Sequence, residues 1–320
     1  MATVAVLMRT RDRPAFLERA LASVLDQTFA DFELVIVNDG GEPSRVDSLV
    51  SRAADPRIHV LHHPSSQGMV ASANHALENS SSTFVAVHDD DDTWAPSFLE
   101  RTTAQLEASG GMGVVVSADK VIERLVNGSF ETVEQSRLFP DLHVITLYDT
   151  CSENYATPIA LLYRRVALET VGPYDPRFGG AADWEFALRF LTHFDIDYLR
   201  SDDALAFYHH RPDADGIDTN SVYTEEHRRL EKLVANELLR ADLKRGTLGL
   251  GLIVNSVRFD REAADGMFTR EKQAIDERID YLAACIHKVE QRVDAVQEAL
   301  APSARIRAYG ALLRRLVIRR

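Results

Sequence analysis

The sequence predicts an α/β protein built on a mainly parallel sheet flanked by helices. Short apolar runs alternate with amphipathic helical segments, the pattern of strand–helix–strand units. Polar, Asp-bearing loops follow the runs, and ligands of such sheets sit beyond the carboxyl ends of the strands. A charged segment of helical period closes the chain and predicts a helical, coiled-coil extension.

Taken in order, residues 3–8 form a continuous apolar strand and residues 9–14 a loop. Pro14 suits the first turn of a helix. That helix, about 15–27, carries Phe16, Leu17, Leu21, Val24 and Leu25 at helical spacing. Residues 32–37 are a second buried strand, ending in Asn38-Asp39-Gly40-Gly41. A helix near 44–54 leads to a third strand, 58–62, and Gln67-Gly68 opens a helix over 69–78. A fourth strand, 84–87, runs through His88 into Asp89-Asp90-Asp91-Asp92. Beyond it, 113–117 and 159–163 predict strands, 164–171 a helix closed by Gly172-Pro173, and 184–193 a further helix. Residues 202–211 predict a strand ending in His209 and His210, and 212–220, rich in Asp, Gly and Pro, a mobile loop.

Four adjacent carboxylates repel one another and need either water or a compensating cation. Mg²⁺ and Mn²⁺ favour oxygen ligands, and Mg²⁺ often takes one or two carboxylates plus substrate phosphates. A solvated acidic turn is the bland reading. Against it, Thr10 and Asp12, Asp39, and Asp89 to Asp91 follow three different strands and converge on one end of the sheet.

Composition narrows the class. The chain has 320 residues, 45% of them hydrophobic, enough for one large domain and an appendage. A net charge of −13 argues against nucleic acid as the main partner. Cys151 and Cys285 lack C-x-x-C spacing and are expected to be reduced thiols of a cytoplasmic protein. Residues 4–8 are too short for a signal peptide, and no apolar run approaches the ~20 residues of a membrane span. The expected location is cytoplasmic, with peripheral contact at the inner face of the cell membrane.

At this point the motifs resemble the family 2 glycosyltransferases of the GT-A fold. The matching pieces are Arg9-Thr10-Arg11-Asp12-Arg13-Pro14, Ser23 to Thr28, Val35 to Gly41, Gly68 with Asn74, and Asp89-x-Asp91-Asp92 with Trp94 and Pro96. Tyr174 to Arg189 resembles the family's G-G-F-D-E … E-D-x-D-L-x-L-R segment, with Ala182 standing where Glu is frequent. The resemblance covers roughly residues 1–215. It implies a Rossmann-like, mainly parallel sheet flanked by helices, and an inverting transfer of a sugar from a nucleotide diphosphate sugar, UDP or dTDP favoured. Asp183 matches the catalytic base, although helix capping is the plain structural reading of such an Asp. Asp91 would ligate Mn²⁺ or Mg²⁺, Asp89 and Asp90 would hold the ribose and the metal's waters, and Asp89 would reach the metal as well. His210, with His209 as second choice, would add a metal ligand. Thr10 and Asp39 would read the pyrimidine ring, and Arg11, Asp12 and Gly68 would line the donor site. Arg9, Arg11 and Arg13 would balance the carboxylates or the donor phosphates. Ala73 stands where many members carry an Arg, so one phosphate contact is expected from elsewhere.

The expected acceptor is a saccharide or lipid-linked saccharide, in bacterial cell-surface glycan synthesis. A sugar-1-phosphate nucleotidyltransferase is an alternative, but it would carry a Gly-rich phosphate loop after the first strand, and residues 9–14 contain no glycine. A non-catalytic nucleotide-sugar-binding scaffold is another, and such a binder has no need of Asp183.

The expected division is a glycosyltransferase domain over 1–220, a helical linker region over 221–269, a coiled-coil helix over 270–301 and a basic amphipathic tail over 302–320. Ile275, Ile279, Leu282, Ile286, Val289, Val293, Val296 and Leu300 alternate spacings of four and three, the heptad signature of self-association. The tail interleaves six arginines with apolar residues and has no acid, which suits an anionic membrane surface or a partner helix.

Overall fold

The computed structural model describes residues 2–214, 216–220, 224–247, 249–300 and 306–311. It divides into two units, Met1–Arg258 and Phe259–Arg320.

The first unit opens with β1 (Val4–Thr10), α1 (Pro14–Leu25), β2 (Phe32–Asp39), α2 (Pro43–Ala53), β3 (Ile58–His63), α3 (Met69–Glu78) and β4 (Phe84–Asp89). A two-residue strand, β5 (Thr93–Trp94), and α4 (Phe98–Ser109) lead to β6 (Gly113–Val116), β7 (Ala118–Val126) and β8 (Ser129–Arg137). Then come α5 (Leu147–Thr150), β9 (Leu161–Arg164), α6 (Leu168–Val171), α7 (Ala182–Leu191), β10 (Ile196–Leu199), β11 (Ala206–His210), α8 (Glu225–Arg245) and α9 (Leu250–Leu300). Seven strands form the main sheet in the order β10-β6-β9-β4-β1-β2-β3. All neighbours run parallel except β9, which is antiparallel to both β4 and β6. The four central runs are strands because β-branched and apolar residues fill both faces, as sheets covered by helices on each side require. Val4, Val6, Val35 and Val85 are fully buried. Each such side chain contributes about 1.5–3 kcal/mol by leaving water.

Two local expectations give way. The helix expected over 164–171 shrinks to Leu168–Val171, because Arg164 pairs with Phe84 and belongs to β9. The strand expected over 202–211 is Ala206–His210. It lies in a second sheet, β5-β11-β7-β8, rather than extending the first. The hairpin of that sheet turns at Asn127-Gly128, both with positive φ (51° and 81°). Asn-Gly between two strands is the strongest short hairpin signal. Its consequence for function is Glu123, carried on β7 beside β11.

Pre-site loops are fixed by close approach. A Cβ on Gly40, whose φ is +77°, would meet Ser66 N at 2.4 Å, so only glycine lets the loop after β2 touch the loop before α3. α8 packs on the 3₁₀ turn Pro176–Ala181, with Leu230 against Gly179. Asp242 of α8 accepts from Gly249 N and Leu252 N (both 3.1 Å) and so caps α9 across the break that ends α8 at Arg245.

In the second unit α9 continues as one helix. Ile275, Ile279, Leu282, Ile286, Val289 and Val293 are 47–60% exposed, an uncovered apolar seam. The side chains of Val296 and Leu300 lie outside the described residues. Of the expected 302–320 tail only 306–311 are described, as helix; the rest falls outside. No described helix is long and apolar enough to cross a membrane.

Candidate active site

The carboxyl ends of β1, β2 and β4 open onto a cavity of about 450 Å³, within the range of small-molecule sites. It is lined by Arg9, Thr10, Arg11, Arg13, Asp39, Ser66, Gly68, Met69, Ser72, Asp89, Asp91, Tyr208, Thr219 and Asn220. Next to it lies a smaller cavity of about 90 Å³ that shares Arg9, Met69, Asp89 and Tyr208 and adds Asp92, Tyr174 and Asp183. Thr10, Arg11, Asp39, Gly68, Asp89 and Asp91 border the larger cavity, and Asp183 borders its smaller neighbour.

Four predicted residues are placed differently from the rest. Asp12 adopts a left-handed φ of 54° and accepts from Glu42 N at 3.0 Å, steadying the entrance to α2; it lies outside both cavities. Asp90 is fully buried behind the larger cavity, where Thr10 Oγ1 (2.7 Å) and Arg13 donate to it. Asp39 borders the cavity with its acceptor positions filled. Its Oδ1 accepts from His63 Nδ1 (2.9 Å) and Gln67 N (2.7 Å), and its Oδ2 from Ser66 Oγ (2.7 Å) and Gly68 N (3.0 Å). Burial opposes its ionisation, but these donors outweigh it and hold the carboxyl well below the usual range. As placed, Asp39 shapes the Gly68 turn and offers no vacant lone pair to a base. His210 is buried beside Tyr208 and away from both cavity walls, its imidazole pushed down to about 4 by burial, then by Lys120 and Arg211.

The charge of the Asp run is met by arginines from distant segments. Arg9 donates to both oxygens of Asp89 (2.7 and 3.0 Å). Asp91 Oδ2 accepts from Arg211, from Arg13 Nη1 at 3.3 Å and from Asn220 Nδ2 at 3.3 Å. Burial works against ionised Asp91, but Arg13 and Arg211 prevail and lower its pKa. Behind them Glu123 accepts from Arg19 (2.5 Å), Arg211 (2.7 Å) and His209 Nδ1 (2.8 Å) and is held down to about 2. His209 spends its Nε2 on Thr93 at 2.9 Å, so both its ring nitrogens are engaged. Arg211 is 2% exposed and lies over the Phe16 ring at 4.6 Å. Sequence spacing gave no hint of Glu123 or Arg211 as a pair, since they are 88 residues apart and join only through the second sheet.

The expected Mn²⁺ or Mg²⁺ ligands are met here by other groups. Guanidinium groups donate to both oxygens of Asp89 and to Oδ2 of Asp91. No three carboxylate, His or Cys side chains converge as a ligand set among the described residues.

Asp183 stands in the first turn of α7, where the helix dipole favours an anion. The N-cap position falls to Ala181, and Asn154 Nδ2 donates to Asp183 Oδ2 at 3.0 Å. Burial raises its pKa above the ordinary carboxylate value, which suits a group that must accept a proton.

The architecture, a mainly parallel sheet with β9 reversed and the acidic strand end at its carboxyl edge, is that of the GT-A glycosyltransferases. The family model of glycosyl transferase family 2 matches residues 5–172, and the chain belongs to that family. A Nostoc protein named an uncharacterized glycosyltransferase is 29% identical over 180 residues, 54% of this chain and 54% of its own length. This chain thus spans about half of that relative. A PGL/p-HBAD biosynthesis glycosyltransferase of Mycobacterium bovis is 26% identical over 196 residues, 59% of this chain and 69% of that protein. Among solved structures, S. aureus TarS 1-349 in complex with UDP-GlcNAc aligns with a TM-score of 0.59 at 20% identity, covering 80% of this chain and 70% of that one. The mannosyltransferase PcManGT from Pyrobaculum calidifontis, in complex with GDP-Man and Mn²⁺, aligns with a TM-score of 0.55 at 16% identity, covering 95% and 82%. At these identities the structures show a shared fold.

Proposed function

We propose that the chain transfers a sugar from a nucleotide diphosphate sugar to an acceptor hydroxyl, with inversion at the anomeric carbon. The observation that carries this reading is the adjacency of an arginine-lined cavity and a half-buried Asp183 across the shared wall of Arg9, Met69, Asp89 and Tyr208. Arg9, Arg11 and Arg13 face the position of the diphosphate, and fixed cations there stabilise the charge that grows on the leaving group. Asp183 takes the acceptor's proton as its oxygen attacks from the opposite side. UDP and dTDP are the nucleotides that the family resemblance favours. Titration calorimetry with UDP-, dTDP-, GDP- and CMP-sugars, each in Mn²⁺, Mg²⁺ or EDTA, tests this. Binding of one class is expected, and its response to EDTA reports metal dependence. Failure of every nucleotide sugar to bind would sink the reading.

Bacterial cell-surface glycan synthesis, with a saccharide or lipid-linked saccharide as acceptor, is the proposed setting. The names of the relatives, one of them in PGL/p-HBAD biosynthesis, support it. We further propose that α9 pairs with a second copy of the chain. Ile279, Ile286 and Val293 alternate with Ile275, Leu282 and Val289 on the exposed seam, and such a repeat of apolar residues drives helices to self-associate. Wild type is expected to sediment as an oligomer and Ile279→Asp/Ile286→Asp as a monomer with unchanged nucleotide binding. A monomeric wild type would leave the seam without a second copy.

A further inference from the structure

We propose that His227, on α8, completes the pocket for the transferred sugar and hydrogen-bonds one of its hydroxyls, and so helps to decide which sugar the enzyme accepts. This rests on the transferase reading above. His227 lies 55 residues beyond the end of the family-model match at 172, so the motifs of that stretch do not reach it.

The argument starts from the order of the two cavities. The arginines line the larger one, so the diphosphate lies there. Whatever is bonded to its outer phosphate must continue past Asp89 into the smaller cavity, which ends on Asp183. About 90 Å³ is space for roughly three waters, the size of part of a sugar ring. Its walls alternate apolar surface (Met69, Val70) with polar tips (Asp89, Asp183), as suits a ring with apolar faces and hydroxyl edges.

His227 forms part of that wall, and α8 holds it there by packing on the Pro176–Ala181 turn just before Asp183. Thr224 caps α8 by accepting from His227 N at 3.1 Å, which fixes the backbone that carries the ring. Glu231 Oε1, one turn on, stands 3.7 Å from Nε2. That is too long for a hydrogen bond, but the carboxylate favours the proton on Nε2. Nδ1 is then a lone-pair acceptor, and it is buried without a hydrogen-bond partner among the described residues. A buried acceptor left unpaired is costly, and a hydroxyl O–H is the donor that satisfies it.

The test compares binding of free UDP, dTDP and GDP with UDP-glucose, UDP-galactose, UDP-GlcNAc, dTDP-glucose and GDP-mannose by calorimetry, on wild type, His227→Ala and His227→Gln. In His227→Ala the preferred nucleotide sugar is expected to weaken about tenfold while the matching free nucleotide is unchanged, and preference among sugars flattens. His227→Gln, which keeps an acceptor, retains part of the affinity. Equal weakening of nucleotide and nucleotide sugar would assign His227 to the fold instead. No change in either, or a wild type that binds sugar conjugates no better than free nucleotides, would overturn the proposal and leave the transferase reading standing. A wild type that binds no nucleotide at all would overturn both.

Discussion

Asp183→Asn is expected to lower turnover about 10²–10⁴-fold, the usual contribution of a positioned general base, while donor affinity stays within about twofold of wild type. The substitution preserves size, and the amide oxygen still accepts from Asn154, whose Nδ2 donates to Asp183 at 3.0 Å. What disappears is the lone pair that takes the acceptor's proton. The pH profile separates this from a packing effect. Burial raises the Asp183 pKa, so its conjugate acid persists to higher pH than the ~3.9 of an exposed Asp. The base is active only when ionised. Wild-type turnover therefore falls as pH drops through that raised value, about tenfold per pH unit below it, whereas Asp183→Asn has no such limb. Full turnover in Asp183→Asn, or an identical acid limb in both proteins, would remove Asp183 from the chemistry.

Asp183 was legible because its motif is local, a strand-poor segment followed at once by an amphipathic helix. The parallel sheet was legible for the same reason, as were the converging ends of β1, β2 and β4. The reversed strand β9 was not, because its pairing to β4 and β6 joins segments about 80 and 50 residues away and leaves no local period. The β7–β8 hairpin had a readable signal in Asn127-Gly128. Without it, residues 118–137 lacked a place, and Glu123 with them. Residue identity alone did not show what the candidate donor-binding carboxylates touch. Asp12, Asp39 and Asp90 are all near strand ends, yet each is saturated or turned aside by backbone amides or by Arg13, which spacing cannot reveal. Around Asp89 and Asp91, arginines supply positive charge to the run of four carboxylates.

That arrangement makes Arg211 the residue whose loss should cost most in stability. Arg211→Ala is expected to destabilise the protein by about 3–5 kcal/mol in urea unfolding, the range for removing one partner of a buried ion pair. Arg211 is 2% exposed and neutralises Asp91 and Glu123 together, so its removal strands negative charge in the interior. Glu123 keeps Arg19 and His209, and Asp91 keeps Arg13, which sets the loss below that of two isolated charges. Arg211→Lys should recover little, since one ammonium cannot span Asp91, Glu123 and the Asp218 carbonyl as the planar fork does. Coupling tests the cause: Glu123→Gln is expected to be destabilising alone, yet Arg211→Ala/Glu123→Gln should cost less than the sum of the two, because the second change removes the charge the first left unpaired. Additive losses would mean that Arg211 acts mainly through its packing on Phe16. Donor affinity gives the functional readout of the same electrostatics. With Asp91 less neutralised, the cavity wall facing the diphosphate turns more negative, and nucleotide diphosphates should bind Arg211→Ala more weakly than the corresponding nucleosides do, relative to wild type.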